Sequence, residues 1–187
     1  MNNLHNKFLV AAPKLNDPRF MESVIFMYKH NVEGAIGFIS NKPVSRSLWL
    51  ELCKKAEIEN PVQKNVPIYF GGPVESQVGF VLHTTDYKTM LTEEVNSWLS
   101  VTQGVDILVD IAQGLGPRQF QITLGYAGWS PGQLELEIES SYPRDPSGGW
   151  MYIDATEELL FGTDDRNKWE RAIGSYATDT VDKLLDF

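Results

Sequence analysis

Strand-forming runs crowd into the first forty residues with almost no chain between them, and that spacing limits the topology more than any other feature of the sequence. Phe8 to Ala11, Ser23 to His30 and Ala35 to Ser40 are rich in Val, Ile and Phe, and Asn31-Val32-Glu33-Gly34 alone separates the last two. So short a gap closes a hairpin, because a parallel crossover takes a dozen residues or more. The chain therefore begins as antiparallel β-structure.

From Ser47 the period changes. Trp49, Leu52, Cys53 and Ala56 recur at helical spacing, which predicts an amphipathic helix with Cys53 pointing inward. Ile68 to Phe70 and Val78 to Thr84 then read as strands joined through Gly71-Gly72-Pro73-Val74, and Trp98 to Val101 as another. A second helix presents Leu108, Ile111, Ala112 and Leu115, and Gly114 and Gly116-Pro117 stop it. Gln119 to Leu124 is a strand, and Ser130-Pro131-Gly132-Gln133 opens a helix with Ser130 as N-cap and Gln133 reaching back. After a Pro/Gly/Ser loop from Tyr142 to Gly149 come a strand at Trp150 to Ile153 and a helix carrying Trp169, Ala172, Ile173 and Tyr176. Thr163 is placed to cap that helix, with Asp164 and Asp165 at its positive end. Strands and helices mix without strict βαβ alternation, which predicts an α+β fold with mixed, largely antiparallel sheets and peripheral helices. No repeat or linker divides residues 1–187, so one domain is expected.

Composition narrows the functional classes. Cys53 is the only cysteine, which excludes an intramolecular disulfide and a multi-cysteine metal site. Met1 to Lys7 holds no apolar stretch and no run approaches a membrane span, so a cytoplasmic protein without membrane attachment is expected. The net charge of −9 is uneven: residues 131–187 hold 5 Lys/Arg against 13 Asp/Glu, or −8, leaving the rest near neutral. Such a field repels phosphate backbones, so nucleic acid is a disfavoured partner, with Lys42, Arg46, Lys54 and Lys55 as the nearest thing to a basic patch.

Several motifs invite chemistry. Gly128-Trp129-Ser130-Pro131-Gly132 matches the G-x-S-x-G nucleophile elbow. Pro131 lacks the N–H that would feed the oxyanion hole, and His5, His30 and His83 all precede Ser130, so the match is read as a false positive. His30, His83 and Asp86 carry metal-ligand chemistry without tight spacing, and the two histidines are expected paired and partly exposed rather than ligating. The Gly71-Gly72-Pro73 amides suggest a phosphate cradle, but no Walker lysine accompanies them. Glu135, Glu137 and Glu139 alternate along a helix, share no face, and are expected to solvate it.

A set of ordered phrases adds a resemblance. Leu9-Val10-Ala11-Ala12-Pro13, Asp17-Pro18-Arg19-Phe20, Ser23-Val24-Ile25, Glu33-Gly34-Ala35-Ile36-Gly37 and Asn41-Lys42-Pro43 come first. Gly71-Gly72-Pro73-Val74, Gly79-Phe80-Val81-Leu82-His83, Leu124-Gly125-Tyr126-Ala127-Gly128-Trp129 and Gly132-Gln133-Leu134-Glu135 follow. From about Phe8 to about Ile173 the chain resembles the bacterial AlgH/YqgE family, departing from its pattern after Glu139. The resemblance implies a compact cytoplasmic α+β domain, a name derived from regulation of alginate synthesis, and a transcription-regulator label without an established activity. Nothing in the sequence resembles a helix-turn-helix.

These readings together lead to a non-enzymatic regulatory or interaction protein with protein partners, no cofactor, no metal and no catalytic residues. The alternative is a small-molecule or nucleotide-binding domain, an enzyme among its possibilities. The residues expected to bind are Asn41, Lys42, Pro43, Gly71, Gly72, Pro73, His83, Tyr126 and Trp129.

Overall fold

The structure is a computed structural model that describes residues 3–45, 47–63, 66–141 and 149–185. Strands β1 (Lys7–Ala11), β2 (Val24–Asn31) and β3 (Gly34–Ile39) form the antiparallel meander, with Phe8 opposite Phe26 and Phe26 opposite Phe38. Helix α1 (Ser47–Lys55) follows, then β4 (Ile68–Phe70), β5 (Val74–His83), β6 (Thr92–Glu94) and β7 (Ser100–Thr102). The chain continues through α2 (Val105–Gln113), β8 (Phe120–Trp129), α3 (Gln133–Ser141) and β9 (Trp150–Asp154). A π-helical turn at Glu158–Gly162 leads into α4 (Asp165–Leu185).

The strands join in the order β6-β7-β5-β8-β3-β2-β1-β9, and β4 also pairs with β8. Every strand pair is antiparallel except β4 with β8, so the architecture is the α+β class with mixed, largely antiparallel pairing. β8 is the spine. It takes β4 beside its first half and β3 beside its second, while β5 runs along the opposite edge. β6, at one end of the strand order, folds back over β2: Lys29 Nζ lies 3.3 Å from Glu93, and the Tyr28 hydroxyl donates to the same carboxylate.

Both faces of the meander are buried, which is why its strands read as continuous apolar runs instead of alternating. Phe8, Val10, Phe26, Phe38 and Phe80 pack one face beneath α4, and Leu9, Ala11, Ile25 and Met27 pack the other beneath α3. A third cluster seats Trp49 and Cys53 of α1 and Ile107 and Ile111 of α2 on Val81 and Ile122. Each such fully buried side chain contributes about 1.5–3 kcal/mol.

The structure corrects several local expectations. β4 and β5 are not partners across the Gly-Gly-Pro turn, because each pairs with β8 instead. β8 does not stop at Leu124 but runs on to Trp129, and β6 was not foreseen. The buried face of α2 is Ile107, Ile111 and Ala112, whereas Leu115 lies past the helix end and is exposed. Ser130-Pro131-Gly132-Gln133 is a β-turn rather than a capped helix start. Gly132 has φ +75° and the Gln133 N–H donates to the Ser130 carbonyl at 3.0 Å, so α3 begins only at Gln133. Thr163 does not cap α4: its hydroxyl donates back to the Glu158 carbonyl, and Asp164 accepts the Arg166 N–H in its place. Residues 142–148, nearly all of the expected Pro/Gly/Ser loop, lie outside the described residues.

Candidate functional site

The residues singled out from the sequence separate into distinct places. Asn41 accepts the Val24 N–H at 2.9 Å and donates to the Glu22 carbonyl at 2.7 Å, and Lys42 donates to the Arg19 carbonyl at 3.0 Å. Both therefore latch the β1–β2 connection onto the end of β3, where they line a shallow recess with Trp169 and Glu170. Burial pushes the Lys42 amine below its ordinary value. Pro43 bridges to Tyr69 beside β4. Of the rest of the basic patch, Lys54 and Lys55 stand exposed on α1, and Arg46 lies outside the described residues.

Gly71 and Gly72 carry the chain across the backbone of β8. A Cβ on Gly71 would stand 2.2 Å from the Gly125 oxygen, and one on Gly72 would stand 2.1 Å from the Tyr126 carbonyl carbon. The Gly71 N–H already donates to Leu124, so the phosphate-cradle reading is replaced by a close backbone crossing. Tyr126 packs edge-on against Phe80 and borders a separate recess with Lys29 and Glu93.

Neither histidine is partly exposed and the two share no partner, which overturns the expectation of a pair. His30 is 8% exposed; its Nδ1 accepts the Leu4 N–H at 2.9 Å and its Nε2 meets Glu135 at 2.9 Å. His83 is 0% exposed; its Nδ1 donates to the Thr84 carbonyl and its Nε2 accepts from the Thr102 hydroxyl, both at 2.8 Å. Burial pulls His83 below the usual imidazole range. Among the described residues no group of three or more His, Cys, Asp or Glu is placed to hold a metal ion.

Pro73 and Trp129 do come together. They border a cleft of about 460 Å³ with Phe20, Gln133, Glu137 and Trp150. Its aromatic wall is built by three edge-on rings: Trp150 stands 5.7 Å from Phe20 and 6.1 Å from Trp129, centroid to centroid. Glu137 fixes the two indoles, accepting Trp129 Nε1 at 3.0 Å and Trp150 Nε1 at 2.9 Å on one oxygen while Gln133 donates to the other at 2.9 Å. At the rim Arg19 forks onto Asp17 at 3.0 and 2.7 Å, and its guanidinium lies 5.4 Å over the Phe20 ring. That fork holds the Asp17 carboxyl below its ordinary value.

Glu135 and Glu137 are thus not merely solvating their helix, because one holds His30 and the other the tryptophan pair. Phe20, Glu137 and Trp150 were missed as site residues. Alternate positions on a helix face different directions, but the β2 strand lies under one and the cleft under the other. An indole donor also needs an acceptor when it is buried, and that was the available clue.

The AlgH-like family profile, a domain family numbered DUF179, matches residues 8–180. A UPF0301 protein of Ruegeria pomeroyi is 40% identical over 181 residues, spanning 95% of this chain and 94% of that one. A UPF0301 protein of Paracoccus denitrificans is 38% identical over 184 residues, spanning 96% and 93%. The solution structure of AlgH from Pseudomonas aeruginosa superposes with a TM-score of 0.77 at 32% identity, covering 93% of this chain and 89% of that one. Protein DIP2367 from Corynebacterium diphtheriae, at 19% identity and a TM-score of 0.68 over 90% and 84% of the two chains, shares the fold. No helix among the described residues is long and apolar enough to cross a membrane. With its profile match, its curated relatives and its superposition on AlgH in agreement, the chain belongs to the AlgH-like family.

Proposed function

We propose that this protein is a non-enzymatic, cytoplasmic interaction protein that takes a segment of a partner protein into the cleft walled by Phe20, Trp129 and Trp150. The observation that carries the reading is the commitment of the cleft's polar groups to holding the wall. Glu137 has donors on both oxygens and Asp17 is forked by Arg19, an arrangement suited to a rigid recognition surface more than to proton transfer. Rigid aromatic rings with a fixed polar rim are the usual anchor pockets of protein interfaces.

The partner segment is basic, with an apolar anchor. α3, which supplies Glu137, belongs to the part of the chain that carries −8 of the −9 net charge. The Arg19 stack on Phe20 has the geometry in which that ring receives a guanidinium. Any link to transcription runs through this partner, since the same charge disfavours direct contact with a phosphate backbone.

A photo-crosslinking phenylalanine at position 20, compared with one at position 32, tests the reading in cells. Val32 is 93% exposed on the β2–β3 turn, remote from the cleft residues in contact. The expected result is a discrete protein adduct from position 20, resistant to nuclease, that position 32 does not give and that Arg19→Glu changes in yield. Equal adducts at both positions, or none at 20, would remove the proposal, and a nuclease-sensitive adduct would replace it with direct nucleic-acid contact.

A further inference from the structure

A second cleft, separate from the aromatic one, lies where the start of β8 meets the π-helical turn and the start of α4. It encloses about 350 Å³. Gln121 borders it at 3% exposure, and its Nε2 has no hydrogen-bond partner although it is fully shielded from bulk water. Buried amides are almost always paired, so an orphan beside a cavity asks for a partner that enters from outside.

The remaining walls say what kind. Lys168, 1% exposed on α4, spends its ammonium on the Ser40 carbonyl at 2.7 Å, the Leu160 carbonyl at 2.9 Å and Asp165 at 3.3 Å. Tyr69 donates to the other oxygen of Asp165 at 3.0 Å. The floor is therefore a set of mutually satisfied groups that holds the cleft open. The groups with capacity left are the Gln121 amide, the Arg118 guanidinium at the rim, which gives one donor to Glu157 at 3.1 Å, and the Asp164 carboxylate. Phe120 and Phe161 stand on the same lining. The π-helical turn supplies Leu160 and Phe161 to this wall, and such turns are rare and recur at functional sites.

Arg118 and Lys168 against Asp164 and Asp165 leave the lining with no net charge, which suits a ligand that carries both signs better than a phosphate or a nucleotide. We propose that this cleft binds a free α-amino acid with an apolar side chain. Its carboxylate meets Gln121 and Arg118, its ammonium meets Asp164, and its side chain lies against Phe120 and Phe161. The cavity has the volume for one such molecule.

The full chain is titrated with L-phenylalanine, L-leucine, acetate and inorganic phosphate, following the side-chain amide signal of Gln121, assigned by its loss in Gln121→Leu. A saturable shift with an amino acid below about 10 mM, weakened about tenfold by Asp164→Asn and by Arg118→Ala, is the expected result. Both of those variants lie on exposed side chains, so the test survives if Gln121→Leu fails to fold. An amino-acid response unchanged in the Asp164 and Arg118 variants, no saturable response to either amino acid, or a response to acetate or phosphate as strong as to the amino acids would each overturn the proposal. None of these outcomes bears on crosslinking from position 20.

Discussion

His83 sits in a shell that tolerates only its neutral form. One ring nitrogen gives its proton to the Thr84 carbonyl, the other takes the Thr102 hydroxyl, and no solvent reaches the ring. Loss of hydration is the largest influence and outweighs the Thr84 bond and the Asp86 charge, so the folded pKa lies below the ordinary value of 6.5. The sign of the linkage follows. Above the unfolded value neither state binds the proton and the site's full stability is present. As the pH falls below it the unfolded chain binds a proton that the folded chain refuses, and stability is lost until the folded pKa is passed. Urea midpoints for the protein and for His83→Gln, measured from about pH 8 to about pH 5, are expected to show a shallower acid decline in the variant from a lower starting stability. An unchanged slope would mean that His83 is protonated in the fold. The sequence placed His83 in a strand, and placed Cys53 inward, where burial pushes its thiol up. It could not give the burial of either histidine, because the groups that meet the rings, Thr102 for one and Glu135 for the other, lie on other elements. Glu137 escaped for the same reason, since its two indole partners stand on β8 and β9.

Among the elements, the crossing of β8 by the segment before β5 is the least forgiving. Gly72 has φ +154°, and the space for its Cβ is occupied by the backbone of Tyr126 and Ala127 at 2.1 and 2.2 Å. Gly132, at φ +75°, has nothing within 4 Å of the same position. The two substitutions therefore separate steric exclusion from conformational cost. Gly132→Ala is expected to lower unfolding stability by about 1 kcal/mol, the ordinary penalty of a left-handed alanine. Gly72→Ala is expected to cost more than about 3 kcal/mol or to prevent folding, because main chain on both sides must move. Chemical denaturation of the pair decides it, and comparable losses would place the crossing elsewhere. The same glycines explain what could be read of the sheet. The β2–β3 hairpin was legible because its turn is short and its flanks are apolar. β8 was cut short on paper because Gly125 and Gly128 interrupt the apolar pattern, although in the fold they let neighbouring backbone and the Tyr126 ring come close. β6, Thr92-Glu93-Glu94, has no apolar residue to announce it and is held by pairing with β7 and by the bonds of Glu93 to β2.

At the scale of the molecule, α4 closes the meander, and the contacts of its first half differ in kind from those of its second. Ala172 is buried in the cluster with Phe8 and Phe26, Trp169 donates to the Ala11 carbonyl at 2.8 Å, and Lys168 ties Ser40 of the β3 end to Leu160 of the π-helical turn. Residues 177–181, by contrast, are all exposed. An ending after Asp164 would expose one apolar face of β1 and β2 and leave the Ser40 and Leu160 carbonyls without the ammonium they share. Exposed and unpaired groups of that number exceed the margin by which a domain of this size is stable. An ending after Thr178 removes only solvated helix, and the family profile reaches barely beyond that point, to residue 180. The shorter chain is expected to lose its dispersed amide spectrum and its cooperative thermal transition. The longer one is expected to keep both, with a midpoint within a few degrees of the full chain's. If the shorter chain still unfolds cooperatively, the meander is closed by something other than α4, and the floor of the Lys168 cleft is not required for the fold.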